Sequence, residues 1–369
     1  MNARTASASR RLLASIAAAA VCGAYAARAG AEPMGVAPRP VGKIVRLDPQ
    51  LDAIVAPDAQ VELLAEGFIW SEGPVWWPAG ERLLFSDIPR NTVFQWSERD
   101  GLQEFLKPSG YTGSGPRQGA IHGKQPPAEV DEQGSNGLAI DAQGRLVLCQ
   151  HGDRRIARLA DPLDPKRAPQ AKFETIADRW EGKRLNSPND LAIHPSGAVY
   201  FTDPPYGLEK GGDTSARDIP FNGVYRADAD GAVTLVAQAM TKPNGIAFSP
   251  DFKTLYVGQS DGDEPVWRAF AVNDDGSLGE PRVFFDASRL VAQGLAGAPD
   301  GFKVDVHGNL LATGPGGVLV ISPDGRHLGT IVTGNLIANC AFGDDGGTLY
   351  MTSHMNLCRV KLKTRGAGF

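Results

Sequence analysis

One phrase returns six times along this chain of 369 residues, and it constrains the fold more than any other feature. It joins a short apolar alternation to a turn containing Pro, Asp or Gly and then to a second apolar run. Its copies begin at Glu72, Asn136, Asn189, Asn244, Asp300 and Ala338, with successive starts 64, 53, 55, 56 and 38 residues apart. Alternation of period two on both sides of a turn reads as a hairpin. Further strand-like sequence follows, such as 92–96 and 102–106 in the first unit and 317–322 and 327–332 in the fifth. Four strands in a unit of this length describe a propeller blade, so the sequence predicts an all-β fold, a six-bladed β-propeller over residues 55–369. The last unit is short: by residue 362 it holds three strands. The missing outer strand is predicted to come from residues 61–65, an N-terminal strand that closes the last blade and removes an open sheet edge.

The first 31 residues are read as an address rather than as fold. Arg4, Arg10 and Arg11 form a positive start, 12–27 an apolar run, and Ala27-Arg28-Ala29 or Ala29-Gly30-Ala31 a small-x-small cleavage site. Residues 1–31 are therefore expected to be a secretory signal peptide, and Ser9-Arg10-Arg11 hints at twin-arginine export. Cys22 follows Ala19-Ala20-Val21, a poor context for a lipid anchor. The expected location is periplasmic or secreted, with no membrane span. Residues 32–54 read as an N-terminal extension, and the Gly-, Ser- and Pro-rich stretch 108–134 as a loop over one mouth of the channel.

Composition excludes several classes of function. A net charge of −5 supplies no basic stripe for nucleic acid. Beyond the leader stand Cys149, Cys340 and Cys358, an odd number without metal-ligand spacing, which predicts buried thiols rather than disulfides or zinc. There is no Gly-x-Ser-x-Gly elbow, no His-Glu-x-x-His pair and no Walker or dinucleotide glycine fingerprint. No obligate protein partner is evident.

Aligning the six copies places Glu72, Asn136, Asn189, Asn244, Asp300 and Ala338 in register, immediately before each innermost strand. In a propeller those strands line the channel, so five side-chain oxygen donors are predicted to converge there, with Asn339 beside the blank Ala338. Asn-Gly and Asp-Gly pairs commonly make turns. A Glu in the same register is no turn former, and five donors in register favour a site. Oxygen-only donors with two carboxylates and no thiolate suit one hard divalent cation, Ca²⁺ ahead of Mg²⁺, Mn²⁺ or Zn²⁺.

Six stretches also carry a resemblance: Ser71-Glu72-Gly73-Pro74-Val75-Trp76, residues 184–190 ending in Asn189-Asp190, residues 200–207 around Asp203-Pro204-Pro205-Tyr206, Lys242-Pro243-Asn244-Gly245, Pro299-Asp300-Gly301 and residues 313–317. Together they resemble the gluconolactonase branch of the SMP-30/gluconolactonase/luciferin-regenerating enzyme family, over roughly residues 55–363. The resemblance implies that Glu72, Asn189, Asn244 and Asp300 surround a divalent metal, and that the substrate is a small lactone opened by a carboxylic ester hydrolase. A cation there would polarise the lactone carbonyl while a carboxylate takes a proton from water. Asp300 is the candidate base, as the resemblance also implies, with Glu72 as the exchangeable alternative. Asn136 and Asn189 are candidate partners for substrate hydroxyls. His151 and Tyr206 are candidate substrate contacts at the mouth, Asp203 and Tyr206 are candidates to shape the pocket, with a rigid Pro-Pro turn as the alternative account of both, and His122 is a loop residue near an entrance. Two further readings stay open: a broader lactonase, esterase or phosphotriesterase, and a secreted binding propeller whose Ca²⁺ is structural.

Overall fold

The computed structural model describes residues 32–113, 133–208 and 217–369. The expected signal peptide 1–31, with Cys22, and His122 in the long loop lie outside the described residues. The fold is all-β. Among the described residues the helical elements are one short helix, Ser288–Ala292, and two 3-10 turns, Pro49–Ala53 and Pro78–Gly80, and none is long and apolar enough to cross a membrane.

Each repeat forms an antiparallel meander. The second is Ser135–Ile140, Leu146–Gln150, Arg155–Leu159 and Phe173–Ala177; the fourth is Pro243–Phe248, Thr254–Gln259, Val266–Ala271 and Arg282–Asp286. Turn chemistry inside the repeats repeats too. Asp141 Oδ1 accepts the N–H groups of Gln143 and Arg145, and Asp305 Oδ1 those of His307 and Asn309, each turn ending on a glycine at positive φ, Gly144 and Gly308.

Central strands depart from simple alternation. Leu146–Gln150, Leu310–Gly314 and Gly317–Ile321 are buried along their whole length, whereas the outermost Phe173–Ala177 is largely open. The reason is that both faces of each sheet are covered. Six separate hydrophobic clusters, counted among the described residues, lie between consecutive units. Trp77, Leu84 and Val93 of the first unit meet Leu138, Leu146 and Leu148 of the second, and Tyr350 and Ala341 of the last meet Leu83 and Phe85 of the first. First strands also touch in sequence, from Val61–Trp77 through Ser135–Ile140, Leu191–Ile193, Pro243–Phe248, Phe302–Val304 and Asn339–Gly343 back to Val61–Trp77.

The last meander differs in detail from expectation. The C-terminal segment forms two strands, Asn339–Gly343 and the long Thr348–Lys361, rather than three. Val61–Trp77 supplies the next: its start pairs with Thr348–Lys361 (Val61 opposite Val360) and its end with Arg82–Asp87 (Trp77 opposite Arg82), so one strand serves two meanders. Between the halves Gly67 turns the chain at φ +98°, a conformation an L side chain resists. Residues 32–54 are not left outside the sheets. Met34–Val41 pairs with the start of Val61–Trp77, and Lys43–Arg46 with His327–Val332 as a fifth strand of the fifth unit. Cys149, Cys340 and Cys358 are free and buried, as expected, and burial raises the pKa of all three thiols.

Candidate functional site

The first strands are irregular where the donors stand. In the second unit Ser135 pairs with Gln150 and the next pair is Leu138 with Leu148, leaving Asn136 and Gly137 opposite Cys149 alone. In the fourth, Asn244 and Gly245 stand opposite Gly258 in the same way. In the first, register shifts between Glu72 and Val75. Such bulges re-aim side chains out of a ladder. The Asn-Gly pairs therefore lie within strands, and the glycines that follow donors serve close approach between units: a Cβ on Gly73, after Glu72, would overlap the Asn136 carbonyl, and one on Gly245, after Asn244, that of Asp300.

Bonds between neighbouring units tie the donor segments to one another. Gly137 N–H donates to Asn189 O at 2.8 Å and Gly301 N–H to Ala338 O at 2.9 Å. The Ser86 hydroxyl donates to Asn136 O at 2.9 Å, that of Thr202 to Asn244 O at 2.7 Å, and that of Thr313 lies 2.7 Å from Gly301 O and 2.9 Å from Ala338 O.

A cavity of about 310 Å³ opens at this level, and Glu72, Asn136, Asn189, Asn244, Asp300 and Ala338 all line it. Trp70, Ile88, Leu336 and Ile337 make an apolar wall, while Tyr206 and Ser260 complete the rim. The five donors predicted from register are thus brought together, and Tyr206 with them. His151 is not among the lining residues. It is fully buried behind the Pro-Pro turn, where a Cβ on Gly207 would overlap its side chain. Asn339 also turns away: its Nδ2 donates to Asp190 Oδ2 at 3.3 Å and its Oδ1 accepts from Cys340 N–H. Asp190 is buried, and desolvation raises its pKa against the lowering pull of the Lys303 charge.

Ser260, Asp87 and Gln259, none of them singled out by the sequence, join Asp203 in holding the donors in place. Ser260 Oγ donates to Pro299 O at 2.6 Å, so toward Asn244 at 2.8 Å it must accept, which identifies the facing amide atom as Nδ2 and leaves Oδ1 for another partner. The chain entering Glu72, Asn189 and Asn244 is gripped from the end of the second strand. Asp87 accepts the N–H groups of Ile69 and Trp70, Asp203 those of Asn186 and Ser187, and Gln259 Oε1 that of Thr241. Complete burial raises the pKa of Asp87, and pushes that of Asp203 up to about 7, in spite of these bonds. The signal for this second layer is present in the sequence as Phe85-Ser86-Asp87 and Phe201-Thr202-Asp203, two copies of one phrase at one register.

The donor set was tested against a cation on its own chemistry. Among the described residues no three His, Cys, Asp or Glu side chains gather to hold a metal. The mouth instead collects two carboxylates and three amides. Asn136 Oδ1 is buried there without a hydrogen-bond partner among the described residues, an acceptor that a cation or a substrate hydroxyl would satisfy. These donors fit a hard divalent ion.

The chain is similar to known lactone hydrolases. The pattern of the SMP-30/Gluconolactonase/LRE-like region matches residues 70–355. A gluconolactonase of Zymomonas mobilis is 40% identical over 331 residues, covering 88% of each chain. A pentonolactonase of Haloferax volcanii is 26% identical over 291 residues, covering 76% of this chain and 80% of its own. Among solved structures, a gluconolactonase of Xanthomonas campestris superimposes with a TM-score of 0.72 at 33% identity, over 89% of this chain and 98% of its own.

Proposed function

The chain belongs to the SMP-30/gluconolactonase/LRE-like family, and we propose that it is a lactone hydrolase that opens a sugar lactone at the mouth of a six-bladed propeller. The observation that carries this reading is the meeting of two carboxylates and three amides, drawn from five repeats, in one cavity with an apolar wall. The gluconolactonase and pentonolactonase relatives support an aldonolactone as substrate.

Glu72, Asn189, Asn244 and Asp300 would hold one divalent cation, Ca²⁺ first among candidates, with Asn136 beside them. When bound, the ion supplies Lewis-acid polarisation of the lactone carbonyl. Asp300 accepts a proton from the water that adds to the carbonyl carbon, and returns it to the ring oxygen as the C–O bond breaks, giving the hydroxy acid. The amides of Asn136 and Asn189 hydrogen-bond substrate hydroxyls. Trp70, Ile88 and Leu336 cover the carbon face of the ring and narrow the access of water. The signal peptide reading would send the enzyme to the periplasm or outside the cell.

The test is hydrolysis of glucono-1,5-lactone and other aldonolactones, followed by pH indicator, after chelation and after return of Ca²⁺, Mn²⁺, Zn²⁺ or Mg²⁺. Turnover that vanishes with chelator and returns with one ion is expected. Asp300→Asn should lose about 10²- to 10⁴-fold in kcat while melting near wild type. Normal turnover in that variant would falsify the role of Asp300.

A further inference from the structure

We infer that the Thr202 hydroxyl of the third unit is a positioning group for the cation site: it fixes the Asn244 backbone in the fourth unit, and with it the amide oxygen that Asn244 presents. This rests on the reading that Asn244 holds a divalent ion.

Three observations combine. First, the ladder of its own unit does not hold Asn244. Pro243 pairs with Gln259 and the next pair is Ile246 with Val257, so the donor and Gly245 stand in a bulge. Second, the Asn244 carbonyl is instead held from outside, by the fully buried Thr202 at 2.7 Å, while Ser260 holds the side chain through Nδ2 at 2.8 Å. With backbone and amide nitrogen both fixed, Oδ1 has little freedom left, as a ligand needs in order to meet an ion without reorganising. Third, the arrangement recurs with its own control. Thr313 occupies the same register two units on and reaches the Ala338 carbonyl at 2.9 Å and, in its own unit, that of Gly301 at 2.7 Å; the slot it closes in the next unit, Ala338, carries no donor. If such hydroxyls merely staple sheets together, removing either one should have the same consequence. If Thr202 positions a ligand, the two must differ.

The experiment compares Thr202→Val and Thr313→Val, near-isosteric losses of the hydroxyl, with Thr202→Ser, which keeps it. Ca²⁺ binding to the purified, chelator-treated protein is measured by calorimetry, alongside thermal melting and lactone turnover. Thr202→Val is expected to bind Ca²⁺ about 10- to 100-fold more weakly, the range for partners that orient metal ligands. Thr313→Val, whose hydroxyl also bonds the Gly301 carbonyl beside Asp300, should melt lower and lose clearly less affinity than Thr202→Val, and Thr202→Ser should restore binding. Should the valine variant fail to fold, Thr202→Ala removes the same hydroxyl without adding a methyl. Equal Ca²⁺ affinity in Thr202→Val and wild type, or an equal loss in Thr313→Val, overturns the inference. A wild type that binds no divalent cation sinks the metal reading beneath it and the inference together.

Discussion

The fourth and sixth units present the same slot to the cavity and use it differently. In the fourth, Asn244 offers an amide whose nitrogen is held by Ser260, and Gly245 lets the neighbouring strand come close. In the sixth the slot holds Ala338, and the glycine position is taken by Asn339, which bonds to Asp190 instead of facing the cavity. Both slots are closed by a hydroxyl from the preceding unit, Thr202 in one case and Thr313 in the other. The backbone frame is therefore common to the repeats, and a donor is an addition to it that folding does not require. Stability and chemistry should be separable here, residue by residue.

The sharpest way to break this contrast is to turn the fourth slot into the sixth. Asn244→Ala is expected to melt within a few degrees of wild type, yet to lose about 10²-fold or more in kcat/KM with its cation affinity, as loss of a first ligand demands. A large fall in melting temperature would show that the donor does belong to the frame. A smaller effect should follow Ser260→Ala, which leaves Asn244 in place but frees its amide to rotate. Cation affinity should fall about 10-fold with little change in stability, read by calorimetry and thermal melting, and unchanged affinity would remove Ser260 from the site.

The smallest predicted effect separates the third unit from the fourth by pH. Asp203 grips the entering chain with a carboxylate, Gln259 with an amide. Burial places the Asp203 pKa at about 7, above its ordinary 3.8, so the folded protein binds a proton more readily than the unfolded chain in that interval. Its contribution to stability is thus full below about pH 4 and is lost as pH rises through 7, at no more than about 1.4 kcal/mol per pH unit. Asp203→Asn should lack this slope between pH 4 and 7 in denaturant titrations, even though its single amide oxygen keeps only one of the two backbone bonds. An unchanged slope in that variant would assign the dependence to another group.

Much of the frame was legible because a repeat multiplies a weak local signal. One Asn-Gly says turn; five donors in register say site, and the cavity lined by Glu72, Asn136, Asn189, Asn244 and Asp300 follows from that register. What escaped depends on contacts between units, which no single repeat encodes. His151 was expected at the mouth from its place after a second strand, but the turn ending at Gly207 packs over it. Asn339 was expected beside the donors, but a buried carboxylate across the ring claims its amide. Ser260 is a lone serine in sequence, and its role exists only because the Pro299 carbonyl at the start of the next unit accepts its hydrogen bond. Likewise the strand content of 32–54 was hidden, since Met34–Val41 has as its partner a strand whose two halves already belong to different meanders.

That shared strand also orders events in time. Ser71 bonds to the His354 carbonyl across 283 residues, and the first meander to be synthesised is the one that the last must find. Until residues near 354 emerge, the start of Val61–Trp77 lacks its partner on that side, an unpaired edge of the kind that invites wrong pairing. Pairing of Val61–Trp77 with Thr348–Lys361 is therefore a late, non-local step and a slow one. Loss of either strand of that pair, Val61–Trp77 or Thr348–Lys361, would open the same seam, making a nascent or clipped molecule most vulnerable where the finished one is joined.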